Sequence, residues 1–195
     1  IFFLLLTLSC SSKQEEKINY YDDLYNTNTL NDSELFENAN ELIKLNQFEL
    51  ALIELDKLEV LFPNSNLSKK GMLTTAYIYF LQEEYEKARA ISENYKKYFP
   101  GSVDIVYANY LDAMTYFILI KKTNFSQKSA IIALEKFNFI LNAYPNSSYE
   151  IDIITKVQII QNNLADHKLI TAKYYIDKNN NEAALIYLKD IFNNY

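Results

Sequence analysis

Glycine occurs twice and proline three times in 195 residues, too rarely to punctuate the many turns of an all-β sandwich, while long stretches run without a helix breaker. An all-α chain is expected. One histidine, His167, and one cysteine, Cys10, leave no material for a Cys/His metal site or a Cys–His nucleophile pair, and a lone cysteine forbids an internal disulfide. Glycine stands only at Gly71 and Gly101, so neither a phosphate loop nor a dinucleotide fingerprint can be built. Basic residues number 19 against 25 acidic ones, a net charge of −6 without a Lys/Arg stripe, which argues against a nucleic-acid partner. The expectation is a non-enzyme with no cofactor and no metal. His167 is expected to lie solvated on a helix, and the run Glu83-Glu84-Tyr85-Glu86 to keep the surface soluble.

A hydrophobic run long enough for a bilayer is also lacking. The N-terminus reads IFFLLLTLS before Cys10, nine residues where a spanning helix needs roughly 20. An apolar stretch, small residues and a polar run (SSKQEEK) after the cysteine form the tail of a signal peptide. Leu6-Thr7-Leu8-Ser9-Cys10 resembles a bacterial lipobox, which implies S-diacylglycerol and N-palmitoyl groups on Cys10. Acyl chains in that number exceed the two signals that stable anchoring needs. Ser11 after the cysteine implies, by the lipoprotein sorting rule, the outer membrane. Ile1 in place of Met implies that the leader begins earlier.

Residues 11–31 are polar, rich in Asn and Asp, and without helical period, a tether whose reach is roughly 25 Å. From Asp32 the chain repeats. Leu61-Phe62-Pro63-Asn64-Ser65, Tyr98-Phe99-Pro100-Gly101-Ser102 and Ala143-Tyr144-Pro145-Asn146-Ser147 each end an apolar helical run, because proline cannot continue the hydrogen-bond ladder. Twelve residues before each proline stand Ala51, Ala88 and Ala133; twelve before the first two of these stand Ala39 and Ala76. Three residues further on come Leu42 and Tyr79. Ala113 with Tyr116, and Ala172 with Tyr175 and Ala184, continue the series. Small residues belong where two helices of one repeat cross closely. This is the tetratricopeptide pattern, and it predicts a right-handed α-α superhelix with repeats at about 32–65, 69–102, 104–147 and 150–195. From Ala113 to Ala133 the offset is 20 rather than 12, so eight residues are inserted, and an extra loop is expected over Lys121 to Ser126. Tyr195 falls inside the last helix, so further chain is expected beyond it. The domain reading is a leader over 1–9, a lipidated tether over 10–31 and a repeat array over 32–195.

Lipobox, polar tether and tetratricopeptide repeats together resemble the BamD/ComL family, the lipoprotein component of the β-barrel assembly machinery. Ile105 to Thr115 (IVYANYLDAMT) resembles that family's third-repeat helix, Tyr144-Pro145-Asn146-Ser147-Ser148-Tyr149 its YPNSxY segment, and Leu164-Ala165-Asp166-His167 with Ala172-Lys173-Tyr174-Tyr175 its LAxxE…AxYY helix. His167 departs from the family's usual residue there, and the family's fifth repeat is not present. The resemblance implies a scaffold on the periplasmic face of the outer membrane that aids folding and insertion of β-barrel proteins. Its implied partners are a BamA-like barrel subunit, other Bam lipoproteins and unfolded outer-membrane proteins. The segment Lys121 to Ser126 and the helix Asp152 to Tyr175 are the expected surface toward the barrel subunit. A different periplasmic repeat adaptor, coupling envelope growth to cell division, is the alternative, and so is an enzyme domain beyond the present C-terminus.

Seventeen Tyr and twelve Phe offer large contact area at little rotamer cost. In a tetratricopeptide array the first-helix positions three before and one after the small alanine are expected to face the concave groove. These are Phe36, Asn40, Leu73, Tyr77, Tyr110, Met114, Leu169 and Lys173, with Phe80 and Phe117 one turn on. They are candidates to hold an extended peptide.

Overall fold

The computed structural model describes residues 31–122 and 127–194, and among these every regular element is a helix. The helices are α1 (Asp32–Lys44), α2 (Phe48–Leu61), α3 (Asn66–Leu81), α4 (Tyr85–Tyr98), α5 (Ile105–Lys122), α6 (Gln127–Ala143), α7 (Glu150–Asp177) and α8 (Asn181–Asn194). They run as helix–turn–helix repeats of the tetratricopeptide kind. Cys10 and the tether lie outside the described residues.

The turns explain why the repeats recur. Asn46, Glu83 and Asn179 each stand seven residues after Ala39, Ala76 and Ala172, and each has a positive φ, 57°, 65° and 57°. After Asn46, the Gln47 N–H bonds to Leu42 O at 2.9 Å while the Asn46 N–H bonds to Ile43 O at 2.9 Å; Glu84 on Tyr79 and Asn180 on Tyr175 repeat the first bond at 2.8 and 2.9 Å. This is the Schellman closure, which satisfies the last carbonyls of a helix through one left-handed residue. At the far end, Phe62 and Phe99 close α2 and α4 with matching angles, φ −129° and −128°. Ser65 and Ser102 then accept from the amides two residues on, Leu67 and Asp104, at 3.0 and 3.2 Å, starting the next helix.

Two compact units divide within α3, between Gly71 and Met72. In the first, α1 opens with a reciprocal capping box, the Asn31 side chain accepting from the Glu34 amide and Glu34 from the Asn31 amide. The Ser65 hydroxyl reaches Asp32 Oδ2 at 2.5 Å, and Leu35, Ala39, Ala51, Leu55 and Leu58 form the interior. Gly71 comes so close to α2 that a Cβ would meet Leu58 Cδ2 at 3.2 Å. In the second unit, Ala113, Phe117, Ile120, Ala130, Ala133, Phe137, Ile140, Ile153, Ile160 and Leu164 make one core across α5, α6 and α7. Leu73, Tyr95 and Ala108 make another. All eight repeat alanines, Ala39, Ala51, Ala76, Ala88, Ala113, Ala133, Ala172 and Ala184, are at most 2% exposed.

The third hairpin corrects the expected loop. α1, α3 and α7 each end five residues after their alanine, whereas α5 continues nine residues past Ala113, and α6 starts six before Ala133 rather than three. The insertion is therefore mostly helix, one more turn on each arm, and Lys121 and Lys122 belong to α5. The reason is apolar: Ile120, inside the extension of α5, is buried. Residues 123–126 lie outside the described residues.

α7 departs from repeat length too. Its 28 residues give a first half that packs on α6 through Ile153 and Ile160 and a second half that meets α8, where Tyr175 stacks on Tyr187 at 5.6 Å and Lys168 pairs with Asp190.

Candidate functional site, a tyrosine-lined surface

The first helices of the second unit's repeats bring tyrosines together. Tyr107 and Tyr110 stand on α5 a turn apart, so they share a face. Tyr149 immediately precedes α7 and stacks on both, with ring centroids 4.6 Å from Tyr110 and 6.1 Å from Tyr107. Parallel rings at such separations favour each other beyond their buried area by about 0.5–1.5 kcal/mol. The Tyr110 hydroxyl donates to Asp152 Oδ2 at 2.6 Å, and Lys156, one turn along α7, bonds to the other oxygen of Asp152. The Lys156 ammonium also lies over the rings of Tyr110 and Phe117, 5.9 and 5.6 Å from their centroids.

The electrostatics follow from this packing. Burial first, then the neighbouring Tyr149 and Tyr77, push the Tyr107 phenol well above its ordinary range. Burial, the bond to Asp152 and that carboxylate's charge do the same to Tyr110. Tyr149 is raised by burial and by Asp104. Burial works to raise the Asp152 carboxyl, but the bonds from Lys156 and Tyr110 outweigh it and hold Asp152 below its usual value. Neutral phenols beside an ionised, lysine-paired carboxylate make a flat aromatic surface with a polar edge. Such a surface suits a peptide backbone and its side chains.

The residues expected to line a groove separate into two sets. Leu73 and Phe117 are 3% and 4% exposed and belong to the interior, a correction with a simple cause. Both stand on the alanine's face of their helices, where Tyr95 and Ala108 cover Leu73 and Phe137 covers Phe117, whereas Leu169, three before Ala172, is 36% exposed. Residues one after the alanine are rotated by a quarter turn, and Tyr77 there is 37% exposed. Phe80 is half-buried with its ring on Tyr85, Met114 packs against the core, and Leu169 and Lys173 are exposed on α7. Phe36 and Asn40 are half-buried in the first unit, where the Asn40 side chain bonds back to Phe36 O at 2.9 Å. Tyr107, Tyr149 and Asp152 were not in the expected groove. Tyr107 and Tyr149 stood inside two of the three resembling segments, which was the available signal. His167 is also corrected: it is half-buried, its Nδ1 2.6 Å from Gln127 Nε2 at the start of the extended α6.

Among the described residues no group of three His, Cys, Asp or Glu side chains converges as a metal site, and no helix is long and apolar enough to cross a membrane. Tandem helical hairpins carrying a tyrosine-lined surface define the class, a repeat protein of the tetratricopeptide kind. Residues 28–195 match the family YfiO, described as an outer membrane lipoprotein, and the chain belongs to that family. It is 27% identical over 161 residues to an outer membrane protein assembly factor BamD of Rickettsia prowazekii, covering 83% of this chain and 64% of that relative. A Caulobacter vibrioides protein of the same name is 27% identical over 63% of this chain and 40% of its own length. One from Buchnera aphidicola is 24% identical over 90% and 72%.

Proposed function

We propose that this protein is a non-enzymatic scaffold of the outer-membrane β-barrel assembly complex, aiding folding and insertion of β-barrel proteins. The observation that carries the reading is the family match over 28–195, joined by relatives named for outer membrane protein assembly. Cys10 is the proposed site of S-diacylglycerol and N-palmitoyl modification, holding the chain to the periplasmic side of the outer membrane. The mechanism is positional: a tethered scaffold raises the effective concentration of a substrate beside its insertase. Unfolded outer-membrane proteins are the proposed occupants of the tyrosine surface around Tyr110, with Tyr77 and Met114 at its margins.

A BamA-like barrel subunit and other Bam lipoproteins are the proposed stable partners. Support comes from α7, where Ile151, Ile154, Ile170 and Tyr174 are 82%, 52%, 58% and 57% exposed, apolar positions that a partner would cover.

The test is affinity purification of the full-length protein from envelope extracts beside a Cys10→Ala variant, with mass spectrometry of what accompanies each. A barrel subunit is expected with the parent protein, and the variant is expected to leave the membrane fraction. Copurification of division or wall-growth proteins in place of a barrel subunit sinks the assembly reading.

A further inference from the structure

The second helix of the first hairpin carries apolar side chains on both sides. Ala51, Leu55 and Leu58 of α2 are buried, and on the opposite side stand Ile53 and Val60, 36% and 47% exposed, with Leu50 beside them at 51%. With 3.6 residues to the turn, these three fall within about 80° of arc. A helix that is apolar all round belongs between two partners, and α2 has one. The repeat itself does not ask for the stripe. Ala88 of α4 is the counterpart of Ala51, so the same offsets on α4 fall at Lys87, Ala90 and Lys97, and on α6, counted from Ala133, at Ile132, Glu135 and Asn142.

The flank of this stripe is acidic. Glu49 and Asp56 lie beside Ile53 and Val60 on the helix surface, Glu59 is further round, and all three are exposed. Lys57, the one cation on α2, is bonded to Glu54 at 2.8 Å. Across residues 31–71 eight acidic side chains stand against four lysines, whereas residues 72–194 carry thirteen charges of each sign. Among the described residues the excess negative charge therefore belongs to the first unit.

We propose that this face of α2 docks a basic amphipathic helix of a partner polypeptide. The apolar side of the incoming helix covers Leu50, Ile53 and Val60, as amphipathic helices do on apolar grooves, and lysine or arginine beside it meets Asp56 and Glu59. Charge selects this occupant over two others. A second copy of the chain in a twofold pair would set these carboxylates against themselves, and a bilayer with anionic headgroups would repel them. The face belongs to the first unit alone, and the proposal does not rest on the assembly reading.

The test uses the full-length protein with Cys10→Ala, which cannot be acylated there, and a fluorescent helical peptide of leucine and lysine, about five turns long with its leucines on one side. Anisotropy should show saturable binding that weakens as salt rises. Leu50→Gln with Val60→Gln should weaken it about tenfold or more, and Asp56→Asn with Glu59→Gln about threefold or more. Ile131→Gln, at an exposed apolar position of α6, should leave it within about twofold. These positions are all exposed, so circular dichroism should not change with them. A peptide of the same composition with its leucines scattered, and one with glutamate for lysine, should each bind about fivefold more weakly or worse. Failure to saturate, unchanged affinity in both α2 variants, or equal affinity for either control peptide overturns the proposal. So does binding to phosphatidylethanolamine–phosphatidylglycerol vesicles, or a dimer in ultracentrifugation, that the Leu50→Gln, Val60→Gln variant loses, since the face would then serve a membrane or a second copy.

Discussion

At the scale of single residues, Glu83 stands out because its turn asks for something else. Asn46 and Asn179 hold the left-handed position of their hairpins, and Glu83 takes the same conformation at φ 65°, which costs an ordinary L-residue about 1 kcal/mol. Glu83→Asn is expected to stabilise the protein by about 0.5–1 kcal/mol; a lowered unfolding midpoint in denaturant would refute that account. The tyrosine surface makes a second prediction. Tyr107 and Tyr110 have folded-state pKa values raised above the ordinary 10.0, so the folded protein keeps protons that the unfolded chain gives up. The stability this contributes is fully present below pH 10 and is lost as pH climbs through the alkaline range. Denaturant midpoints measured from pH 8 upward should fall beyond about pH 10, and the fall should be shallower in a Tyr107→Phe, Tyr110→Phe double variant. Equal slopes would mean that other groups govern alkaline unfolding.

At the scale of elements, the alanines decide how closely a repeat's two helices approach. Ala113 is fully buried among Phe117, Ile120, Ala130 and Ala133, so Ala113→Leu should destabilise by about 1–3 kcal/mol through overpacking. A thermal melt unchanged by the substitution would show that α5 and α6 separate without penalty. Three residues after Ala76, Ala113 and Ala172 a tyrosine faces the second helix: Tyr79 lies under Lys87 at 5.0 Å, Tyr116 under Lys136 at 5.5 Å, and Tyr175 stacks on Tyr187 at 5.6 Å. The proline marks differ in one respect. Ser65 and Ser102 find partners in Asp32 and Tyr95, whereas the buried hydroxyl of Ser147 has none; the structure offers no reason for that difference.

At the scale of the whole molecule, stability is uneven because burial is. α8 buries only Ala184 fully, while α5, α6 and α7 share a continuous core. Amides of Asn181–Asn194 should therefore exchange with solvent well before those of α5 and α6, and hydrogen-exchange mass spectrometry reads this directly; equal protection would contradict it. Helical class, the proline stops and the alanines at the helix crossings were legible from residue spacing alone, since paired small residues twelve apart and a proline stop act within a few residues of themselves. The family was legible from segments such as Tyr144 to Tyr149. Other features depended on side chains distant in sequence. Whether Leu73 or Phe117 faces a groove or a core turns on which neighbouring helix covers it. Tyr149 meets Tyr107 and Tyr110 only because α7 returns beside α5. The inserted residues went mostly into helix, where Ile120 found a core to enter, and Asp112 acquired two lysines from different helices on one oxygen. Local spacing determines which elements form; the partners of each side chain are decided by packing, because contact energies depend on atoms that only the folded chain brings together.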